Sequence, residues 1–373
     1  MENSPRSDHN TIRSVLTALV FIIILSLLFI LNLVVPSKPF LNSERRAPTR
    51  MPVLSMSSLK TDDFSDDFED FIADGFPFRD EFRAVHSLFL LGVLRFSDKD
   101  GLYIDSEGLG EYKKTDAASI IKAAQVINKV ALNLDGLNIY YSFIPDKSIY
   151  SNRQLPGFDA AMVTRLLSGS PGMDDYNYID LTDTLESDSF YKTDFHWDQT
   201  KLNGVMTALG ENMNFNYYSS QYEQEFAGDF QGTYSGQFVF PDFRDYLLFL
   251  TNPILSAKKM NSLTKEIEST PIYDLERFNG VDPYDIFLSG AQPLVILENE
   301  SIENGRTLYV FRDSFSSSLA PLLAGAYSTV TLIDLRYIDL RTLERYVEFK
   351  PGSDVLFIYS SIVLNNPEGL LVY

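Results

Sequence analysis

The sequence predicts an α/β fold in which a parallel sheet carries helices on both faces and one transmembrane helix precedes the sheet. Strand-like and helix-like segments alternate after Gly101 and again after Gly290, with helices long enough to connect parallel strands. An almost unbroken apolar run at 15–35 comes before them. The chain has 373 residues, of which 45% are apolar, so it can bury a large core.

The apolar run at 15–35 is interrupted mainly by Ser26 and Asn32. At about 1.5 Å per residue, a helix of this length crosses a hydrocarbon core of about 30 Å. We predict a transmembrane helix or an uncleaved signal anchor after a short tail at 1–14. A cleaved signal peptide is disfavoured, because the run exceeds a usual signal-peptide core and no small-x-small site follows it.

Residues 36–60 mix proline, serine, lysine and arginine without periodicity and are predicted to form a stalk. The main domain is predicted at 61–373, and it begins with Phe64, Phe68 and Phe71 at helical spacing among acidic residues. The acidic residues could suggest a calcium site, but they lack the glycine and terminal glutamate of an EF-hand loop. A solvated helix face is the favoured interpretation.

A second amphipathic helix is predicted at 79–96. Its apolar residues recur at helical spacing and are predicted to face inward, which leaves His86 on the surface. These apolar residues are Phe82, Val85, Leu88, Phe89 and Val93.

Strands and helices are predicted to alternate along the rest of the chain. Strands are predicted at 102–104, 138–144, 178–180, 293–298, 307–312, 329–334 and 354–360. Helices are predicted at 119–131, 158–167, 198–213, 316–325 and 339–349. An insertion at about 214–290 is rich in Tyr, Phe, Asn and Gln. Loops that stack on sugars and ordinary β-rich packing are both typical of such a composition, and the second interpretation is favoured for most of these residues.

The charge and the absence of cysteine limit the possible partners. The formal net charge is −20 and the pI is about 4.5, which argues against nucleic acid and anionic lipid as main partners. The chain contains no cysteine, so disulfides and thiolate metal sites are excluded. The sequence indicates no metal site and no cofactor.

One of the three histidines, His196, lies in a polar, turn-like segment beside Asp194 and the only tryptophan, Trp197. A histidine is suited to proton transfer near neutral pH, and an acidic neighbour can fix its tautomer. The pattern therefore predicts a general base at His196. The alternative is a buried structural histidine that packs on Trp197.

Ser314 follows an apolar, β-prone run at 308–311 and precedes a helix start at 316, which places it at a strand-to-helix turn. Nucleophilic serines of hydrolases favour such a turn, because it exposes the hydroxyl and directs backbone N–H groups toward it. The alternative is a serine that caps the helix. Both interpretations place Ser314 at the carboxyl end of a strand, where open α/β sheets bind ligands.

Six short motifs occur in order along the chain. They lie at 74–80 (DGFPFRD), 144–147 (IPDK), 192–197 (KTDFHW), 230–234 (FQGTY), 312–315 (RDSF) and 334–337 (DLRY). Their order resembles the DHHW family and, more distantly, the SGNH-hydrolase-like domains of alginate O-acetyltransferases. The resemblance spans roughly 64–373 and implies an SGNH-hydrolase-like three-layer fold. The sequence departs from the family pattern at Phe195, where the namesake motif has its first histidine, and at Arg312, where many relatives have glycine.

The resemblance implies a catalytic triad in which Ser314 is the nucleophile, His196 is the general base and Asp194 orients the histidine. An Asp-x-His pair that precedes the serine is the reverse of the order in ordinary SGNH enzymes. The simplest oxyanion donor is the backbone N–H of Ser314 at the helix start.

Four further residues are candidates for oxyanion or substrate binding. Arg336 could add a positive charge near the oxyanion, and its alternative role is a surface salt bridge to Asp334 or Asp339. Arg312 could narrow the oxyanion site or supply a charge to it, and Gly290 could offer a backbone N–H. The four candidates are Arg336, Gly290, Arg312 and Trp197.

The resemblance also implies a cell-membrane enzyme with an extracytoplasmic domain, either an O-acetyltransferase or an esterase of a cell-envelope polysaccharide. A membrane-bound acyltransferase partner would deliver the acetyl group. The N-terminus is then expected in the cytoplasm, although more basic residues follow the apolar run than precede it. A different class of function stays open, namely a catalytically silent module that binds glycans or assembles envelope machinery.

Overall fold

The computed structural model describes residues 6–34, 40–41, 46–53, 63–94, 96, 101–152, 157–238, 243–252, 254–261 and 264–371. The chain forms two compact units. The first comprises Met1–Arg95 with Gly236–Phe240, and the second comprises Phe96–Ser235 with Pro241–Tyr373.

The first unit holds the N-terminal helices. Helix α1 (Arg6–Val34) contains the apolar span Ile12–Asn32, which is the one helical span in the described residues that is long and apolar enough to cross a membrane. Helices α2 (Asp63–Asp74) and α3 (Arg79–Ser87) follow, and α3 continues into a π-helical turn at Leu88–Val93. Helices were predicted at all three places.

The predicted orientation of the second amphipathic helix is wrong. Ser87, on the polar side of α3, is buried, whereas His86 is exposed as predicted. The apolar residues predicted to face inward are all exposed, namely Phe82, Val85, Leu88, Phe89 and Val93.

Part of the predicted stalk at 36–60 is attached to the end of α2. The Arg46 guanidinium donates to both carboxylate oxygens of Asp74, at 2.6 and 2.7 Å, and the Thr49 N–H donates at 2.8 Å. Burial alone would raise the pKa of Asp74, but these donors lower it to about 2. The stalk assignment itself stays a prediction, because much of this segment lies outside the described residues.

The second unit contains the strands. They are β1 (Leu102–Asp105), β2 (Gly108–Glu111), β3 (Asn138–Ile144), β4 (Asn177–Tyr178), β5 (Glu223–Phe230), β6 (Asp245–Thr251), β7 (Leu255–Met260), β8 (Ile267–Thr270), β9 (Leu294–Asn299), β10 (Thr307–Arg312), β11 (Thr329–Ile333) and β12 (Asp354–Ser360). The later helices are α4 (Ala117–Ala131), α5 (Ala160–Ser168), α6 (Asn203–Met213), α7 (Ser235–Phe238), α8 (Ser316–Leu323), α9 (Leu340–Leu343) and α10 (Ser361–Leu364).

The central sheet has the strand order β4-β3-β12-β10-β11-β9-β7-β8. Strands β4, β3, β12, β10 and β11 are parallel, whereas β9, β7 and β8 continue the sheet in antiparallel pairs. The parallel prediction is therefore wrong for β9. Residues 300–306, which join β9 to β10, form a link too short for the crossover of a dozen or more residues that parallel strands need.

Apolar cores cover both faces of the sheet, which confirms the three-layer prediction. In β10, Leu308 and Val310 face one core and Tyr309 and Phe311 face the other, as the two-residue period of a strand requires. Helices α4 and α5 pack on the second face, and α6 and α8 pack on the first. Helix α9 is shorter than the helix predicted at 339–349.

The predicted insertion at 214–290 is β-rich. Strands β5 and β6 form a separate antiparallel pair, and β7 and β8 extend the central sheet. Several of its aromatic side chains form a small core of their own together with Tyr191. These are Phe230, Phe249, Tyr284 and Phe287.

Candidate active site

Ser314 lies in the turn between β10 and α8, as the sequence predicts. The buried carboxylate of Asp313 shapes this turn, because it accepts the Phe315 N–H at 3.1 Å and the Ser360 N–H at 2.7 Å. The second bond ties the turn to the carboxyl end of the neighbouring strand β12. Ser314 is half-buried, so its hydroxyl keeps access to solvent at the carboxyl edge of the parallel strands.

His196 lies in a closed loop. A bridge pairs Phe190 with Trp197, and the Tyr191 N–H donates to the His196 carbonyl at 3.1 Å. The carboxylate of Asp245, from β6, accepts the Lys192 N–H at 2.7 Å.

Thr193 completes the support of this loop. Its N–H and its hydroxyl both donate to the Asp245 carboxylate, at 2.8 and 2.5 Å. Its hydroxyl oxygen also accepts the Gly232 N–H at 2.7 Å. The insertion therefore fixes the backbone that carries Asp194 and His196.

The two sites meet at hydrogen-bonding distance. The Nε2 atom of His196 lies 2.9 Å from Ser314 Oγ, and its Nδ1 atom lies 2.8 Å from Asp194 Oδ1. A carboxylate accepts only, so Nδ1 carries the proton and Nε2 is left to accept from the serine hydroxyl; this tautomer is assigned from the network. The arrangement has the geometry of a nucleophile, a base and an orienting acid.

Asp194 is fully buried and is held by more than the histidine. Its Oδ2 atom accepts the N–H of Thr233 at 2.8 Å and the hydroxyl of Thr233 at 3.0 Å. Burial alone would raise the pKa of Asp194, but the bonds from His196 and Thr233 outweigh it and hold the pKa well below its usual range. Asp194 therefore stays ionised across the physiological pH range.

Three aromatic rings surround the His196 imidazole. Tyr284 stacks on it with ring centroids 3.7 Å apart and an interplanar angle of 5°. Phe195 and Phe315 lie at 4.0 and 4.9 Å. The rings prevent the imidazole from turning away from Ser314, and the face of Tyr284 can stabilise a charged imidazolium. Phe195, the departure from the family motif, thus packs on the histidine.

Trp197 lies behind the Ser314 turn, away from solvent. Its indole is fully buried, and its Nε1–H lies 2.9 Å from the Phe315 carbonyl and 3.0 Å from Ser318 Oγ. The structure thus differs from the predicted role in substrate binding, because the ring has no exposed surface. Trp197 instead joins the loop at 190–197, which we call the histidine loop, to the start of α8.

Gly290 does not offer the free donor that was predicted. Its backbone N–H donates to the Phe287 carbonyl at 3.1 Å. It ends a run of three residues with positive φ, in which Leu288 has φ 57° and Ser289 has φ 60°. Such conformations are costly for residues other than glycine, and here the Leu288 N–H bond to Ile272 O helps to hold them.

The two arginines make internal contacts. Arg312 is fully buried and donates to the Asp313 carbonyl at 3.2 Å and to Ser317 Oγ at 3.2 Å, so it supports the turn from inside and has no surface for substrate. Arg336 makes the salt bridge foreseen as its alternative, with Nε 2.9 Å and Nη2 2.6 Å from the two Asp334 oxygens.

Among the residues that the structure describes, no acceptor is hydrogen-bonded to the Ser314 N–H. This donor therefore stays available to an oxyanion beside Ser314 Oγ. In the same described ranges, no group of three or more His, Asp or Glu side chains lies close enough to hold a metal ion.

The sequence predicted no role for Asp245, Thr233, Tyr284 or Lys147. The Thr233 and Lys147 motifs stood out only through the resemblance, and Asp245 and Tyr284 lie in the insertion that has no readable periodicity. Lys147 is buried, and its Nζ donates to the carbonyl oxygens of Leu109 at 2.6 Å and Tyr191 at 2.5 Å. It therefore connects β2 to the histidine loop.

Lys147 should make the free energy of unfolding depend on pH. Burial lowers its pKa to about 8, although Asp245 and Asp194 oppose the shift, whereas an unfolded lysine has a pKa of about 10.4. Between these values the unfolded chain binds more protons, so the stability of the wild type should rise by about 3 kcal/mol relative to Lys147→Met. Denaturant unfolding of both chains in detergent between pH 7 and 10.5, followed by Trp197 fluorescence, measures this change in the difference between their free energies of unfolding. If the free energy of unfolding changes with pH in the same way for the two chains, the lowered pKa of Lys147 is contradicted.

Gly232 lies too close to the histidine loop to carry a side chain. A Cβ atom there would clash with the Asp194 side chain and approach Thr193 O to 2.5 Å. We expect Gly232→Ala to lower the free energy of unfolding by about 1–3 kcal/mol and to displace Asp194. Gly369→Ala is the matched control, because nothing lies within 4 Å of its added Cβ. Equal thermal stability of the two variants would refute the expectation.

No protein-family model and no curated protein matches the sequence. A crystal structure of a DHHW family protein from Eubacterium siraeum DSM 15702 matches with a TM-score of 0.59 and 18% identity, over 74% of this chain and 97% of that one. The chain has the fold of that DHHW family protein. This confirms the predicted fold class.

Bacillus cereus PatB1 matches with a TM-score of 0.55 and 18% identity, over 71% of this chain and 97% of that one. A second structure of PatB1, with a sulfonyl adduct, matches with a TM-score of 0.56 and 18% identity over 70% and 95%. The O-acetyltransferase domain of Pseudomonas putida AlgJ also matches, with a TM-score of 0.39 and 12% identity over 72% and 93%.

Proposed function

We propose that this chain is a membrane-anchored, extracytoplasmic acyl-ester enzyme that acts on O-acetyl groups of a cell-envelope polysaccharide. Ser314 is the nucleophile, His196 is the general base and acid, and Asp194 orients the imidazole. The observation that carries the proposal is the continuous hydrogen-bonded chain from Asp194 through His196 to Ser314 Oγ.

In the first half-reaction, Ser314 Oγ attacks the carbonyl carbon of an acetyl ester while His196 Nε2 takes the hydroxyl proton. The tetrahedral intermediate then collapses, the ester C–O bond breaks, and His196 returns the proton to the leaving alcohol. In the second half-reaction, an acceptor hydroxyl attacks the acetyl-serine and His196 takes its proton. Ser314 leaves and recovers that proton from His196.

Two features of the site favour this chemistry. The Ser314 N–H would donate to the oxyanion, and one such donor contributes about 3–4 kcal/mol in related chemistry. The ionised, buried Asp194 stabilises the imidazolium that forms when Ser314 loses its proton, and the stacked Tyr284 ring adds to this.

Water as acceptor makes the chain an esterase, and a sugar hydroxyl makes it an O-acetyltransferase. We favour transfer onto a polysaccharide, on the sequence resemblance to alginate O-acetyltransferases. A membrane acyltransferase would then supply the acetyl group from the other side of the membrane. The apolar span Ile12–Asn32 supports anchoring by α1. We place the main domain outside the cytoplasm on the sequence resemblance.

A sulfonyl fluoride tests whether Ser314 is activated. Its sulfur is attacked by an activated serine, and a structure of PatB1, which shares the fold, carries a sulfonyl adduct. We expect phenylmethanesulfonyl fluoride to modify the peptide that contains Ser314 in the full chain and to stop release of nitrophenol from 4-nitrophenyl acetate. Mass spectrometry after digestion locates the adduct.

Ser314→Ala and His196→Ala should both prevent the labelling. Ser316→Ala is the matched control, because the Ser316 hydroxyl is buried and has no hydrogen-bond partner in the described residues. If the wild type takes up no sulfonyl group and hydrolyses no ester, a silent glycan-binding or envelope-assembly module becomes the better account.

A further inference from the structure

The surface of α3 and of the π-helical turn after it has the opposite polarity to that of a helix on a water-soluble protein. Val85 is 65% exposed and Phe82 is 53% exposed, whereas Ser87 is 1% exposed. The exposed apolar residues, which we call the apolar stripe, are Phe78, Phe82, Val85, Leu88, Phe89, Val93 and Leu94.

The helical spacing shows that the stripe is one face. Phe82, Val85, Phe89 and Val93 recur at intervals of three or four residues, which keeps them on the same side of a helix. A soluble helix turns such a face to its core and its polar face to water. Here the apolar face points outward, and a continuous exposed apolar surface of this kind marks an interaction site.

The stripe belongs to the same compact unit as the membrane-crossing span. The Asn32 side chain, at the end of that span, donates to the Ile72 carbonyl in α2 at 3.1 Å. Arg79, the first residue of α3, lies 3.5 Å from the Asp74 carboxylate at the end of α2. The stripe therefore starts next to the place where α1 would leave the hydrocarbon core.

The charges of α3 identify the kind of surface that it fits. Arg79 and Arg83 are balanced by Asp80 and Glu81, so the helix has no excess of basic residues. The chain as a whole carries −20. The charges of α3 therefore supply no net attraction to anionic headgroups, and burial of the apolar stripe in acyl chains is the favourable contribution that α3 offers.

We propose that α3 and its π-helical turn lie in the plane of the membrane interface, with the apolar stripe inserted among the lipid acyl chains. The inference rests on the proposed anchoring by α1. The stripe would sit at the boundary between headgroups and acyl chains, where in-plane amphipathic helices bury their apolar face.

The absence of cysteine makes a site-directed test possible. The full chain is reconstituted in phosphatidylcholine vesicles with one nitroxide-labelled cysteine per variant. Val85→Cys and Phe89→Cys report on the stripe, and Ile23→Cys reports on the membrane-crossing span. Ser168→Cys, an exposed residue of α5, is the aqueous control. Accessibility to oxygen and to a water-soluble nickel complex is measured for each label.

We expect the oxygen-to-nickel ratio at Val85 and Phe89 to be several-fold higher than at Ser168 and to approach that at Ile23. A ratio at the stripe equal to that at Ser168 would place it in water and overturn the inference. Low access to both reagents would show that protein covers the stripe, either a second copy or a partner, and would also overturn it. An aqueous Ile23 label would instead reject the anchoring by α1. All substituted residues are exposed, so Trp197 fluorescence should stay unchanged.

Discussion

Replacing Ser314 by alanine is expected to lower kcat/KM for an acetyl ester by about 10⁴-fold or more. The variant loses the atom that forms the acetyl intermediate, and His196 Nε2 loses the proton donor that lies 2.9 Å away. The loss should fall on kcat, because the hydroxyl contributes to the reaction and little to substrate binding. Steady-state kinetics with 4-nitrophenyl acetate, and then with an acetylated polysaccharide, measure it.

The combination of Ser314→Ala with His196→Ala provides a further check. Members of a triad act as a unit, so the double variant should be about as inactive as each single one. Ser316→Ala, in the same turn, should keep wild-type activity because its hydroxyl bonds to nothing in the described structure. Losses that add up in the double variant would indicate that the two residues act independently. Full activity of Ser314→Ala would remove the triad from the mechanism.

The geometry of the candidate site could be predicted in part from the sequence, because its central residues lie in short local patterns. A strand-to-helix turn is visible around Ser314, and an Asp-x-His pair lies two residues apart at 194–196. What brings the two together is not local. Asp245 binds Lys192 in the loop that carries His196, and Tyr284 stacks on the imidazole. Both come from the insertion, whose sequence pattern does not predict these partners.

The hydrophobic pattern could predict neither the direction of β9 in the sheet nor which face of α3 is exposed. The period of two in β9 is the same in a parallel and an antiparallel pair, and only the short link at 300–306 distinguishes them. For α3, the periodicity established an amphipathic helix, but a period says nothing about which face is covered. Which face of α3 is covered depends on whether water or lipid surrounds the helix, and the sequence period carries no information about the surroundings.

Asp194→Asn is expected to lower kcat by about 10⁴-fold while the protein stays folded. The substitution is nearly isosteric, but it places an amide opposite His196 Nδ1, at the 2.8 Å position where the carboxylate accepts a proton. An amide N–H there would donate to Nδ1 and move the imidazole proton to Nε2. Nε2 would then donate to Ser314 instead of accepting its proton, and the serine would lose its base.

Two observations separate this effect from a general disturbance of the loop. Thr233→Val keeps the carboxylate and removes only the hydroxyl donor at 3.0 Å, so it should cost far less activity than Asp194→Asn. Nitrogen NMR of His196 reports the tautomer directly, and it should show Nδ1 protonated in the wild type and Nε2 protonated in the variant. A variant that keeps the wild-type tautomer and still loses activity would show that the negative charge of Asp194, rather than its control of the proton, is the larger contribution. A variant within tenfold of the wild type would remove Asp194 from the mechanism, because a buried carboxylate that orients the base cannot be neutralised without a kinetic cost.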